Sequence, residues 1–271
     1  MPADELESIQ SGDARIFYRL TGAGQALVLL HPYPTNHNFW NQIVPGLAGR
    51  YRLLVPDLRA HGASEPGEGP ATMEKHAEDL SRLCRAAGFE RAIFAGVSIG
   101  GYILFEFWRR YREKIQALIL CDTKASADSN EARTSRLQIA HAVEREGPDA
   151  YLDSMVPKLL GTSTVRNRAD LVAEARGMMA VMRAESIAAA LRGMAVRPDS
   201  MAVLGAVTMP TLIMVGEEDT LTPPSDAEAM HNGIRNSQLL KIAAAGHYTP
   251  FEQPEASLRA MRRFLDSVRS A

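Results

Sequence analysis

Five short runs of the chain are apolar without alternation: 26–30, 53–55, 92–94, 117–121 and 211–215. A strand with one wet face alternates polar and apolar positions, whereas a strand buried on both faces does not, so these runs predict interior strands of a parallel sheet. The segments 39–47, 72–87 and 102–111, which lie between them, are helical in pattern. Strand alternating with helix predicts an α/β fold with a doubly wound, mostly parallel sheet. Ahead of it, roughly alternating patches at 6–9 and 14–18 flank Ser11-Gly12-Asp13 and predict a β-hairpin. Thr72 stands where a capping box would place Thr, but Lys75 occupies the Glu position, so half of that signature is present.

After Asp122 the alternation stops. From about 126 to about 196 there is only helical patterning, including 131–146, 149–160 and 169–182. An insertion at this end of a parallel sheet lies over the ligand crevice, so it predicts a helical cap at 125–198 between two parts of one α/β core, 1–124 and 199–271. Met155, Met178, Met179, Met182 and Met194 supply either a soft, adaptable pocket or gap-filling between cap helices, the second being the commoner use of any one of them. The α/β pattern resumes at 211–215, continues through Gly216-Glu217-Glu218-Asp219 to Pro223-Pro224, and predicts a helix at 225–234 and a strand at 239–242. Ala245-Gly246-His247-Tyr248 then opens a loop before a final helix at 254–268.

Composition narrows the class. With 271 residues, 46% hydrophobic and 23% charged, the chain is long enough to bury a sizeable core in one globular unit with an insertion. The net charge of −2 with both signs interspersed gives no basic patch for nucleic acid and no polybasic run for an anionic membrane, so the expected partner is a small molecule. Two cysteines, Cys84 and Cys121, without a Cys-x-x-Cys or Cys/His cluster, support neither a disulfide framework nor a metal site, and both are expected as buried apolar residues. The acidic start of the chain lacks an apolar signal core and no later run approaches the ~20 residues of a membrane span, so a cytoplasmic location is expected.

The candidate chemistry centres on Gly96-Val97-Ser98-Ile99-Gly100, between a predicted strand and a predicted helix. A sharp turn there holds the Ser98 hydroxyl above the sheet, and Gly96 and Gly100 have a steric reason to lack side chains. The first N–H groups of the helix, at Ile99 and Gly100, have no intrahelical partner and can stabilise negative charge. A serine hydroxyl is a poor nucleophile until a base takes its proton, and imidazole suits that task. His247 is the best placed of the seven histidines, in a glycine-preceded loop after a predicted strand. The acid that orients it must come from another strand end, where Asp219 and Asp122 are rivals.

These motifs resemble the α/β-hydrolase superfamily over nearly the whole chain: His31-Pro32-Tyr33-Pro34, Asp57-Leu58-Arg59-Ala60-His61-Gly62-Ala63-Ser64, Gly96 to Gly101, Gly216 to Asp219 with Pro223, and Gly246-His247. The order Ser98, Asp219, His247 is the family's order of nucleophile, acid and base. The resemblance implies an oxyanion hole from the N–H groups of Tyr33 and Ile99. The family usually has His-Gly where this chain has His31-Pro32, and proline removes one N–H but not the donor at Tyr33. The Asp57 to Ser64 loop is expected to be structural, with Asp57 and Arg59 bonding neighbouring backbone. Relatives that hydrolyse haloalkanes or epoxides place aspartate at the elbow, which Ser98 excludes here. The chain is similar to small bacterial carboxylesterases and to 3-oxoadipate enol-lactonase-like hydrolases, which implies ester hydrolysis, with lactone hydrolysis as the alternative. Carbon–carbon bond hydrolysis and a non-catalytic ligand-binding receptor stand further off. The resemblance implies no metal and no organic cofactor, and Trp40, Tyr102 and Tyr248, with Phe39, are candidates for the pocket wall.

Overall fold

The computed structural model describes residues 6–269; the acidic stretch from Met1 to Glu5 lies outside them. The hairpin forms as expected from β1 (Glu7–Ser11) and β2 (Ala14–Gly22), with Ser11 opposite Ala14 across a two-residue turn. Gly12 sits there at φ 63°, a left-handed conformation that suits a residue without Cβ. Six further strands follow: β3 (Gln25–Leu30), β4 (Tyr51–Pro56), β5 (Ala92–Val97), β6 (Ile115–Cys121), β7 (Thr211–Gly216) and β8 (Ser237–Ile242). The eight form one sheet in the order β1-β2-β4-β3-β5-β6-β7-β8, antiparallel at β1–β2 and β2–β4 and parallel elsewhere.

The unbroken apolar runs are interior strands for the physical reason given above. Leu27, Val28, Leu29, Leu30, Ile93, Phe94 and Ala95 are fully buried, so both faces of these strands are covered. The chain runs from β3 outward to β4 and then returns to the other side of β3 to form β5, so the strand order reverses between β3 and β5. Ligands of open α/β sheets bind outside the carboxyl ends of the strands at such a point. The segment after β3 contains Tyr33 and the segment after β5 begins with Ser98.

The predicted helix at 39–47 is broken into a 3-10 turn at His37–Trp40 and the four-residue α1 (Val44–Leu47). Pro45 has no N–H to continue a helix from the preceding turn and is tolerated only at the start of α1. Thr72 caps α2 (Met73–Ala86), its hydroxyl accepting from the Lys75 N–H at 3.4 Å. That bond is the half of the capping box visible in the sequence. The helix after the elbow, α3 (Ile99–Tyr111), packs beside α2.

Between β6 and β7 the described residues are helical without a strand: α4 (Asn130–Glu146), α5 (Asp149–Leu159), α6 (Thr162–Asn167), α7 (Ala169–Met179) and α8 (Ala184–Ala195). The pattern at 169–182 overran α7, and α6 and α8 were not anticipated as separate helices. α8 is alanine-rich and buried over most of its length. It packs along α4, while α5 packs on α7. The carboxyl-terminal part adds α9 (Pro224–Gly233), α10 (Thr249–Glu252) and α11 (Pro254–Arg269). Cys84 and Cys121 are buried free thiols. No helix among the described residues is long and apolar enough to cross a membrane.

Candidate active site

Ser98 lies on the sharp turn between β5 and α3 with φ 54° and ψ −114°, a strained conformation for a residue with a Cβ. The strain is held from three sides. Ser98 N–H donates to the Cys121 carbonyl at 3.0 Å, and the Ser98 carbonyl accepts from Gly101 N–H at 2.9 Å and from the Thr123 hydroxyl at 2.8 Å. A Cβ at Gly96 would stand 2.5 Å from the Gly100 carbonyl carbon, so strand and helix approach too closely for any side chain there. At Gly100 the crowding comes instead from β3, with Leu30 Cβ and carbonyl oxygen each 3.0 Å from such an atom.

The parallel register sets the neighbouring strand ends level with this turn, Val97 opposite Cys121 and Cys121 opposite Met214. Asp219 follows β7 through a turn closed by its own N–H on the Gly216 carbonyl at 3.2 Å. Its Oδ2 lies 2.8 Å from His247 Nδ1 and accepts from the Thr222 hydroxyl at 2.7 Å. Oδ1 accepts from the N–H groups of Leu221 and Thr222 at 2.8 and 3.0 Å. Burial alone would raise this carboxyl, but the His247 imidazole and the Thr222 donors outweigh it and hold Asp219 below the ordinary carboxylate range. Thr222, which sequence reasoning missed, also lies 3.2 Å from His247 Nδ1. Its signal was its place three residues beyond the aspartate, where a hydroxyl can close a local turn.

Asp122, the rival acid, makes other bonds. It accepts from Gly216 N–H at 2.9 Å and from Thr249 N–H at 3.0 Å, and shares a 2.8 Å hydrogen bond with the Thr249 hydroxyl. Burial and the neighbouring charge of Asp219 push its carboxyl well above the usual range. Asp122 therefore ties the end of β6 to β7 and to the helix after the histidine loop, while Asp219 takes the imidazole.

The histidine loop is fixed through its backbone. His247 N–H donates to the Leu159 carbonyl at 3.0 Å, and buried Glu252 accepts from Gly246 N–H at 2.8 Å, Tyr248 N–H at 3.2 Å and Gly161 N–H at 2.7 Å. The approach is so close that a Cβ at Gly246 would stand 2.7 Å from the Leu160 carbonyl carbon.

Across the site, the Pro32 carbonyl accepts from His31 Nδ1 at 2.9 Å, Thr35 N–H at 3.1 Å and the Thr35 hydroxyl at 2.8 Å. A trans peptide points its N–H opposite to its C=O, so three donors on this carbonyl fix the direction of the Tyr33 N–H. His31 can donate from Nδ1 because its Nε2 accepts from Leu58 N–H at 3.0 Å. Burial, together with the nearby His61, pushes His31 down to about 3, so it stays neutral. The expected structural loop thus has a definite task. Leu58 sets the tautomer of His31, Asp57 accepts from the N–H groups of His37 and Ala63, and Arg59 pairs with Asp79 and Asp13 as well as donating to the Ser11 carbonyl.

Ser98 and His247 line one cavity of about 120 Å³. Tyr33 and Tyr102 also line it, with Met155 and Met194 from the helical insertion. Trp40 and Tyr248 do not: both are fully buried in the aromatic core, each edge-to-face with Phe39 at a centroid distance of 5.3 Å. The Tyr248 hydroxyl donates to the Tyr33 carbonyl at 3.1 Å, so it braces the segment after β3 from behind. Met178, Met179 and Met182 are buried without lining the cavity, the gap-filling use. Lys124, Arg136 and Tyr151 do line it and were missed, because nothing in their local sequence separates them from surface residues of a loop and two helices.

Known proteins match this chain over most of its length. The family described as alpha/beta hydrolase fold matches residues 25–254. The 3-oxoadipate enol-lactonase 1 of Acinetobacter baylyi is 26% identical over 243 residues, 90% of this chain and 89% of that protein. A thermophilic esterase from Thermogutta terrifontis, solved with malate bound, superposes with a TM-score of 0.94 at 39% identity, over 97% of this chain and 99% of that one. The enol-lactonase from Burkholderia xenovorans LB400 superposes with a TM-score of 0.89 over 96% of this chain and 100% of that one, and at 23% identity this likeness is one of fold.

Proposed function

The chain belongs to the alpha/beta hydrolase fold family, and from that premise we propose that it is a serine hydrolase cleaving carboxylic esters of small molecules through an acyl-enzyme. The observation that supports this reading is the placing of Ser98 and His247 on one cavity with His247 Nδ1 2.8 Å from Asp219 Oδ2. With Nδ1 occupied by the carboxylate, the imidazole keeps Nε2 for the proton of the Ser98 hydroxyl. Ser98 attacks the acyl carbon, His247 takes its proton and returns it to the leaving alcohol, and Asp219 orients the ring and stabilises its protonated form. The N–H groups of Tyr33 and Ile99 receive the oxyanion, each contributing roughly 3 kcal/mol to the transition state. Water activated by the same imidazole then releases the acid. The residues suffice without a metal or organic cofactor.

A lactone would be opened by the same residues, and the 26% identity to a 3-oxoadipate enol-lactonase favours it as the second reading. Hydrolysis of a p-nitrophenyl ester series from acetate to decanoate beside a lactone panel, with Ser98→Ala as control, tests both. Turnover should fall by at least about 10⁴-fold in the variant, with fluorophosphonate labelling of the wild type alone. Turnover that survives in Ser98→Ala, or a wild-type protein that takes up no fluorophosphonate, would overturn the serine mechanism.

A further inference from the structure

Two cationic side chains line the cavity beside Ser98: Lys124, from the loop after β6, and Arg136, from α4. None of the described residues that line it is acidic. Neutral esters give no reason for this, because setting charge against the wall of a small, partly apolar cavity costs solvation free energy that only a partner charge recovers.

The neighbouring carboxylates neutralise the wall incompletely. Arg136 Nε donates to Asp128 Oδ2 at 2.6 Å, and Asp128 Oδ1 lies 2.7 Å from Arg197 Nη1. One carboxylate thus serves two guanidinium groups. Arg197 is turned away over the Tyr102 ring, its guanidinium carbon 4.2 Å from the centroid, which leaves Arg136 as the guanidinium facing the cavity. Arg136 Nη1 lies 3.6 Å from the Met194 sulfur, a weak acceptor for a charged donor. Lys124 makes no ion pair among the described residues, and Asp226, outside the cavity lining, is a carboxylate that feels its charge. The Tyr151 hydroxyl, 3.3 Å from that of Tyr33, adds a polar group to the same lining.

We propose that Lys124 and Arg136 form an anion-recognition subsite, so that the substrate is an ester whose acyl portion ends in a carboxylate, as in the hemi-ester of a short dicarboxylic acid. This inference rests on the serine-hydrolase reading and names the substrate class for it. The carboxylate meets Arg136 and Lys124 while the ester carbonyl lies at Ser98. Guanidinium supplies directed donors and ammonium a mobile point charge, a combination suited to a carboxylate at the end of a flexible chain. The positive wall also orders the reaction, since it holds the dianionic acid product until water replaces it.

The test compares mono-p-nitrophenyl glutarate with p-nitrophenyl 5-methylhexanoate, in which two methyl groups replace the carboxylate oxygens, in the wild type and in Arg136→Gln, Arg136→Lys and Lys124→Gln. The ratio of kcat/KM, hemi-ester over neutral ester, should exceed one in the wild type. It should fall about 10- to 100-fold in each glutamine variant, the loss expected for a charge-assisted hydrogen bond, and fall less in Arg136→Lys. Added salt should lower the same ratio. Lys124→Gln leaves the Asp128 pairing intact, so the test stands if Arg136→Gln does not fold. A wild-type ratio below one, or a ratio unmoved in Lys124→Gln and Arg136→Lys, would overturn the subsite. The two readings fail distinguishably: fluorophosphonate labelling of Ser98 without hemi-ester preference removes the subsite alone, whereas absent labelling removes the hydrolase reading and the subsite with it.

Discussion

The backbone N–H of His247 donates to the carbonyl of Leu159 at 3.0 Å, so the loop that holds the imidazole is hydrogen-bonded to the last turn of α5. Glu252 reinforces the junction by accepting from Gly161 on one oxygen and from Gly246 and Tyr248 on the other. An amide cannot accept on both sides. Glu252→Gln should therefore turn an NH2 group against a buried N–H, lowering stability by roughly 1–3 kcal/mol and lowering kcat by displacing His247. Urea unfolding and steady-state kinetics check this, and a variant with wild-type stability and kcat would show that the carboxylate is dispensable.

The two aspartates should separate cleanly. Asp219 is bonded to the imidazole as a carboxylate, so Asp219→Asn removes the charge that stabilises the protonated ring and should cost on the order of 10⁴-fold in kcat. Asp122 bonds Gly216 and Thr249 rather than the imidazole, so Asp122→Asn should keep kcat within about tenfold of wild type, while its NH2 group meets a buried N–H and lowers stability by roughly 1–3 kcal/mol. Equal losses in the two variants would mean that Asp122 contributes to the chemistry.

At the elbow, Gly96→Ala sets a Cβ 2.5 Å from backbone, which can yield only by moving strand against helix. Gly100→Ala meets Leu30 at 3.0 Å, a contact that a few tenths of an ångström relieve. Gly96→Ala should lose about 3 kcal/mol or fail to fold, and Gly100→Ala should lose less. The order of their melting temperatures decides the matter.

A pH effect follows from His76, fully buried on α2, with Nε2 lacking a hydrogen-bond partner among the described residues. Burial, with the charges of His61 and Arg59, pushes His76 well below the ordinary histidine range. Its folded-state pKa is therefore lower than its unfolded one. Between the two the unfolded chain binds the proton and the folded protein does not, so stability is lost as pH falls below about 6.5. Removing the imidazole removes this loss: the stability of His76→Leu relative to wild type should rise by about 1.4 kcal/mol for each pH unit below 6.5. Urea denaturation of both proteins at pH 7, 6 and 5 measures it, and a constant difference would contradict a neutral buried His76.

Much of the molecule was legible along the chain because its signals are local. Unbroken apolar runs mark strands covered on both faces, glycines around Ser98 mark a turn without room for Cβ, and breakers after 211–215 mark the strand end that leads to Asp219. Other features depended on which strand ends stand side by side. The register and the loops beyond the strand ends send Asp122 to Gly216 and Thr249 and Asp219 to His247, a choice that two aspartates each just beyond a strand could not express in sequence. Trp40 and Tyr248 looked like pocket residues, but packing turned them into the core, since an aromatic ring near a strand end can face either way. Lys124, Arg136 and Tyr151 carry no local mark of a binding role, and only tertiary folding brings them, from the loop after β6 and from α4 and α5, to the cavity that Ser98 lines. Sequence determined the interior strands and the turn at Ser98 because backbone sterics and burial act over a few residues; tertiary structure decided the partners because hydrogen bonds and charges act across space between segments far apart in the chain.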